Sequence, residues 1–464
     1  MVELCKYNAS FYRYSMYYNS KLFCPFHETL CQEPVMLILK EVTARMRLTA
    51  EESAMLNGEF GPATQKAMRI LTSIGDIYGA ERMARTEHVH VASGTVISTG
   101  TGGAQFIEWM AENGGRARCY ATVNPSAIDS THWKRLGIPR EYYDWQLRLN
   151  RAYETMGIIT AYSCTPYLVG NVPHFGELMC SAESSAIPMY NGYFGARTNR
   201  QGNPSSLSSA LTGRVPVYGL LLDENRFGNM VIDVRIPCRS DHDWATLGYF
   251  IGKHAVSRIP VLVGIEDGVS LDHCKMMCAG MNSSGAVPHF HIVGITPEAP
   301  TLDAAQGGKK PLETCVYDKA ARREMERHLC NASGEAVDMV VLGCPHVSVY
   351  QLQQIAGLLE GRRVKEGVLM EVLTSDAIKA VADRQGLTKT IEESGALLLS
   401  RTCPTCYPLG ECMAASMGIR SMATDSSKMA HYAAADSGRI PVYYGTTEQV
   451  IDAAVSGIWT AAEE

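Results

Sequence analysis

Three cysteines stand at turn-like points of this 464-residue chain: Cys164 in Ser163-Cys164-Thr165-Pro166-Tyr167, Cys344 in Gly343-Cys344-Pro345-His346, and Cys403 in Thr402-Cys403-Pro404-Thr405-Cys406. The chain carries 15 cysteines, and its first residues hold no long apolar core of the secretion-signal kind, so a reducing, cytoplasmic setting is expected. There thiols are not needed as staples, and isolated Cys-Pro and Cys-Thr-Pro turns point to a metal or iron–sulfur site assembled from distant segments. Three thiolates holding such a cluster would leave one iron free to act as a Lewis acid on a substrate hydroxyl. The competing reading makes some of them buried small hydrophobes. Cys403-x-x-Cys406 also has the spacing of a redox pair, whereas Cys274 and Cys278 read as ordinary packing on one helix face.

Gly195-Ala196-Arg197-Thr198-Asn199-Arg200 sets two arginines and an asparagine in a loop opened by glycine. Guanidiniums offer rigid forks of donors that suit a carboxylate or phosphate, and Ser184, Ser185 and Asn191 add small polar groups nearby in sequence. The plain alternative is an ion pair with Glu183 or another carboxylate. In Asp425-Ser426-Ser427-Lys428, Ser427 could act as a base only if its alkoxide were stabilised by cations or a metal-rich site; otherwise the segment is a helix cap. The glycines between Gly94 and Gly103 show no G-x-G-x-x-G spacing and no P-loop lysine, which argues against a nucleotide cofactor.

These residues need a scaffold that brings remote segments together. Thr49 with Glu52 forms a capping-box pattern over a helix at 50–56, and a second helix follows Gly61-Pro62. His88 to Ala92, a helix over 104–110, and Ala117 to Val123 give a strand, helix, strand order. A helix over 142–155 and a strand over 158–162 are expected to deliver Cys164. Further strands are expected at 213–221, 230–236 and 261–263. Asp338 to Leu342 runs into Gly343-Cys344, followed by a helix over 350–359; 367–372 and 395–399 repeat the arrangement, the latter ending near Cys403. The stretch from Pro297 to Pro311 reads as a loop or hinge. The expected parts are 1–45 as an extension or upstream-start tail, 46–300 and 301–435 as two α/β parts, and 436–464 as a C-terminal segment.

Hydrophobic residues make up 46% and charged residues 19%, the balance of an α/β enzyme. A net charge of −6 without a long basic run argues against nucleic acid as a partner. No apolar run approaches the roughly 20 residues that cross a bilayer, so no membrane partner is expected either.

Taken together, Met46-Arg47-Leu48-Thr49, Thr122-Val123-Asn124-Pro125, Cys164-Thr165-Pro166-Tyr167, Glu183-Ser184-Ser185-Ala186, Gly195 to Arg200, Gly294 to Ala299, Gly343-Cys344-Pro345-His346 and Ser427 to Tyr432 resemble the large subunit of the aconitase X family over about residues 46–455. That resemblance implies three α/β domains around a central cleft, without the small swivelling domain, which a small partner subunit would supply. It implies a hydro-lyase acting on a small anionic hydroxy acid, either (R)-5-phosphomevalonate or cis-3-hydroxy-L-proline. It implies an iron–sulfur cluster, with [4Fe–4S] favoured and [2Fe–2S] as the alternative, on Cys164, Cys344 and Cys403, with Cys406 as a rival ligand. Arg197, Arg200, Ser184 and Ser185 would hold substrate, Asn199 would position a substrate hydroxyl or the adjacent guanidiniums, and Ser427 would be a polar catalytic group. A cysteine-based redox protein or a non-catalytic scaffold is the reading of another class.

Overall fold

A computed structural model describes residues 46–92, 94–405, 417–435 and 440–461, and residues 46–464 cluster as one unit. Three parallel sheets organise it. The first has the order β3-β2-β4, with β2 at His88–Val91, β3 at Tyr120–Val123 and β4 at Cys180–Ser181; beside it β1 (Met83–Arg85) pairs antiparallel with β5 (Arg214–Pro216). The second is β8-β7-β6-β9, built from β6 (Met230–Val234), β7 (Pro260–Val263), β8 (His291–Ile292) and β9 (Glu313–Tyr317). The third is β12-β11-β10-β13-β14, from β10 (Met339–Leu342), β11 (Leu369–Thr374), β12 (Leu397–Ser400), β13 (Met422–Thr424) and β14 (Val442–Tyr444).

The sequence pattern explains the third sheet. β10 is an unbroken Met-Val-Val-Leu run, all four side chains are buried, and a strand covered on both faces needs such a run. Because parallel strands share one direction, their C-terminal ends align, and the loops leaving β10, β12 and β13 start at one sheet edge. The loops after β10 and β12 carry Cys344 and Cys403, and the loop after β13 leads into the helix Ser427–Ala435, whose second residue is Lys428. The first sheet is stitched to the same edge: Ser126 N donates to Arg401 O at 2.7 Å, and Ser400 N donates to Asp129 Oδ2 at 3.0 Å.

Two helices, Asp241–Ala255 and Leu271–Gly285, cross at glycines. A Cβ on Gly248 would sit 2.1 Å from Met277 O, so only hydrogen allows this approach. The capping box at Thr49 forms as expected, with Thr49 N donating to Glu52 Oε2 at 2.9 Å and Glu52 N to Thr49 Oγ1 at 3.3 Å.

Three expectations differ locally. The segment 158–162 makes only an isolated bridge from Ile159 to Thr122, because Tyr162 turns to φ 42° and leaves the extended region before Cys164. The strand expected at 213–221 ends at Pro216, where an N–H donor is missing, and passes into a 3₁₀ turn at Gly219–Leu221. The expected loop after Pro297 contains a short helix, Leu302–Gln306, started by Thr301 Oγ1 accepting from Ala304 N at 3.1 Å. Among the described residues no helix is long and apolar enough to cross a membrane.

Candidate active-site cleft

At the shared sheet edge lies a cavity of about 280 Å³. Cys164, Cys344 and Cys403 all line it, so three thiols separated by up to 239 positions in sequence reach one cleft. Asn124, Glu183, Ser184, Lys428 and Tyr432 complete most of the polar wall. A smaller cavity of about 150 Å³ at the ends of β6 and β7, around Arg235 and Glu266, gathers none of the expected site residues.

The centre of the wall is a buried ion pair. Lys428 Nζ lies 3.1 Å from Glu183 Oε1 and 3.0 Å from Ser184 Oγ. Glu183 is further held by Asn124 Nδ2 at 2.6 Å, Ser185 N at 3.2 Å, and the Ser184 and Ser185 hydroxyls at 3.1 and 3.0 Å. Burial alone would raise the Glu183 carboxyl, but Lys428 and these donors outweigh it and hold it down at about 2. Burial likewise works against the Lys428 charge, and Glu183 reverses this, leaving the ammonium well above its ordinary range. Lys428 is therefore a fixed cation on the cleft wall, and Glu183 an acceptor already saturated with donors.

Behind this pair, His90 Nε2 donates to Asn124 Oδ1 at 2.6 Å and Nδ1 accepts from Thr122 Oγ1 at 2.8 Å, tautomer roles set by these partners. Burial keeps His90 down at about 4, a neutral imidazole that aims the Asn124 amide at Glu183. Two of the thiols are held protonated in this environment: burial and then Glu183 push Cys164 well up, and burial carries Cys344 to about 12 although Lys428 opposes it.

Of the residues singled out in the sequence, Cys164, Cys344, Cys403 and Ser184 line the cleft, and Ser185 supports it through Glu183. Four others make their contacts elsewhere. Arg197 pairs with Asp223, not Glu183. Arg200 NH1 donates to Ala286 O at 3.1 Å. Asn199 is occupied by backbone, donating to Tyr218 O and accepting from Leu220 N, at 2.9 and 2.8 Å. Ser427 Oγ donates to Ala245 O at 2.9 Å. Cys274 and Cys278 are fully buried in a helix, as the packing reading expects. Cys406 lies outside the described residues.

The expected iron–sulfur cofactor requires correction. Among the described residues the only group of three His, Cys, Asp or Glu with ligand atoms within 4.8 Å of one another is His289, His291 and Glu298, and no cysteine belongs to such a group. The candidate metal site is thus a His/His/Glu triad near β8. Its carboxylate is already engaged, because Arg226 Nε and NH2 donate to Glu298 at 2.9 and 2.7 Å. A turn context marks a thiol as delivered to a sheet edge, but it does not encode the sulfur-to-sulfur spacing on which the expected cluster depended.

Family models now add to this geometry. Those described as the first, second and third domains of aconitase X match residues 45–224, 228–327 and 337–456. The phosphomevalonate dehydratase large subunit of Methanothermobacter thermautotrophicus is 34% identical over 86% of this chain and 96% of its own. The chain belongs to the aconitase X family. The cis-3-hydroxy-L-proline dehydratase of Pseudomonas aeruginosa is also 34% identical, over 89% of this chain and 70% of its own. A crystal structure of Thermococcus kodakaraensis aconitase X (holo-form) superposes with a TM-score of 0.78 at 33% identity, covering 88% of this chain and all of that one. The fold is therefore the α/β fold of the aconitase superfamily, and the chain is a hydro-lyase at the level of reaction class.

Sequence reasoning missed the central role of Lys428, Asn124 and His90. The signal was present: Glu183 lies two residues beyond the strand Cys180–Ser181 and Lys428 four residues beyond Met422–Thr424, where a charge must be paired once buried. In the sequence, Glu183 stands as an ion-pair alternative for the arginines and as part of the Glu183-Ser184-Ser185-Ala186 block, with nothing local to tie it to Lys428.

Proposed function

We propose that this aconitase X chain is the large subunit of a phosphomevalonate dehydratase, converting (R)-5-phosphomevalonate to trans-anhydromevalonate 5-phosphate together with a small partner subunit in the cytoplasm. The observation that carries the reading is the fixed Lys428 ammonium on the cleft wall, taken with the likeness to phosphomevalonate dehydratase large subunits at 34% and 33% identity. The cleft supports an anionic substrate, because Lys428 presents a fixed positive charge beside Ser184 and Asn124.

In this reading Lys428 and Ser184 hold an anionic group of the hydroxy acid, so that the carbon losing a proton and the carbon losing hydroxide are fixed relative to each other. Glu183 keeps the ammonium pointed into the cleft. A phosphorylated substrate needs more cationic or N–H donors than this wall contains, and the partner subunit would contribute them.

The same sequence identity to both groups of relatives makes cis-3-hydroxy-L-proline the second reading. Co-expression with a small-subunit gene of this family, purification under nitrogen and parallel assay of both compounds separates the two. Turnover of the phosphate ester alone supports the proposal. Turnover of the hydroxyproline alone replaces it with the second reading, and failure on both removes both.

A further inference from the structure

The three cleft cysteines arrive on separate loops, yet all of those loops meet one residue. His346 lies two positions after Cys344, its backbone N–H donates to Cys164 Sγ at 3.3 Å, and its ring Nε2 donates to Thr402 O, next to Cys403, at 2.7 Å. Its own carbonyl accepts from Lys275 Nζ at 3.2 Å. Lys275 is wholly buried on the helix Leu271–Gly285, lies 2.8 Å from Asp272 Oδ1, and also donates to Gln351. Asp272 Oδ2 in turn accepts from Ser348 Oγ at 2.6 Å.

We infer that His346 is the positioning residue that holds the Cys164, Cys344 and Cys403 turns in register, and that Lys275 braces it from the neighbouring domain. A backbone N–H, a ring N–H and a carbonyl on a single residue reach three chain segments, so movement of this residue would disturb all the thiols at once. The brace contains a buried ammonium between a carboxylate, an amide and a carbonyl. Such an arrangement is costly unless every partner stays in place, which makes the turn resistant to displacement. The inference deepens the reading of the cleft as the active site, but it concerns the geometry of the thiols and can be tested without turnover.

The test compares labelling of individual cysteines by a maleimide under native conditions, read by peptide mass spectrometry, in the full chain and in the His346→Phe, His346→Gln and Lys275→Met variants. His346→Phe keeps bulk but loses the ring donor, whereas His346→Gln retains a side-chain N–H. Loss of one hydrogen bond worth about 1.4 kcal/mol raises local opening about tenfold. Labelling of Cys403, whose turn loses the ring bond to Thr402 O, is therefore expected to accelerate about tenfold in His346→Phe, that of Cys164, still met by the backbone N–H of residue 346, to rise with it by less, and both to return toward wild type in His346→Gln. Cys274 and Cys278, buried within a helix, serve as internal controls and should keep their wild-type rates. Unchanged labelling of Cys164 and Cys403 in His346→Phe overturns the inference, as does equal acceleration of Cys274 and Cys278, which would mean general loosening. If His346→Phe does not fold, Lys275→Met tests the brace from the other side, and unchanged rates there overturn it equally. Phosphomevalonate turnover, measured in parallel, decides the proposed substrate independently of these rates.

Discussion

Replacing Lys428 by methionine removes the cleft's fixed cation while keeping much of the side-chain volume. In the wild type, Glu183 is held at about 2 against an ordinary 4.5, a difference of about 2.5 units or roughly 3 kcal/mol of linkage. A depressed carboxyl stabilises the fold above its unfolded pKa, and that contribution disappears as pH falls from about 4.5 to about 2. Without Lys428 the carboxylate keeps Asn124, Ser184 and Ser185 but loses its counter-charge, and breaking a buried pair costs about 3–5 kcal/mol. Thermal unfolding at pH 7 should therefore shift down by several degrees. The same variant should lose most of the Glu183-dependent acid sensitivity below pH 4.5, because its carboxyl would titrate nearer to its unfolded value. For catalysis, a charged hydrogen bond worth about 1.5–3 kcal/mol corresponds to a loss of roughly tenfold to a hundredfold in kcat/KM. Steady-state assay of the co-expressed enzyme, together with a Tm series from pH 3 to pH 8, provides the readouts. A wild-type kcat/KM with a lowered Tm would show that the pair is purely structural, and the account of substrate holding would be wrong.

His90 is held at about 4 by burial against an ordinary 6.5, so the folded state loses stability as pH falls from 6.5 to 4; His90→Gln should flatten that part of the Tm profile, and an unaltered slope would assign it to other groups. Gly248→Ala would force a Cβ to within 2.1 Å of Met277 O, and the separation of the two helices should cost about 1–3 kcal/mol in urea unfolding; a wild-type midpoint would contradict the packing argument. Arg214 is buried and bonded to Glu52 Oε1 at 2.9 Å and Glu51 Oε2 at 2.6 Å, so Arg214→Met should destabilise by about 3 kcal/mol, visible as a lower unfolding temperature with little change in KM. Arg197 pairs with Asp223, whose side chain is 74% exposed, so Arg197→Gln should change stability by less than about 1 kcal/mol; a rise in KM for the phosphate ester would tie this loop to substrate, and an unchanged KM would detach it.

Local patterns made much of the architecture readable. The apolar run of β10 and the cap at Thr49 are properties of adjacent residues, and in both places the expected element forms. Where a neighbouring element decides, the reading failed. Tyr162 turns away from the extended region, so the segment before Cys164 becomes a loop with one bridge. The expected strand after Gly213 stops at Pro216, and the helix Leu302–Gln306 interrupts an expected hinge.

The same division applies to the cleft. The types and turn contexts of Cys164, Cys344 and Cys403 are properties of the sequence, as are the ordered blocks that mark the family, because each depends on residues a few positions apart. The pairing of Lys428 with Glu183, the diversion of Arg197 to Asp223, the enclosure of Ser427 and the gathering of His289, His291 and Glu298 depend on which strand ends and helices meet. Charge and hydrogen-bonding capacity are written in each residue, but a buried group takes its partner from whatever folding brings within about 3 Å, and only tertiary structure makes that choice.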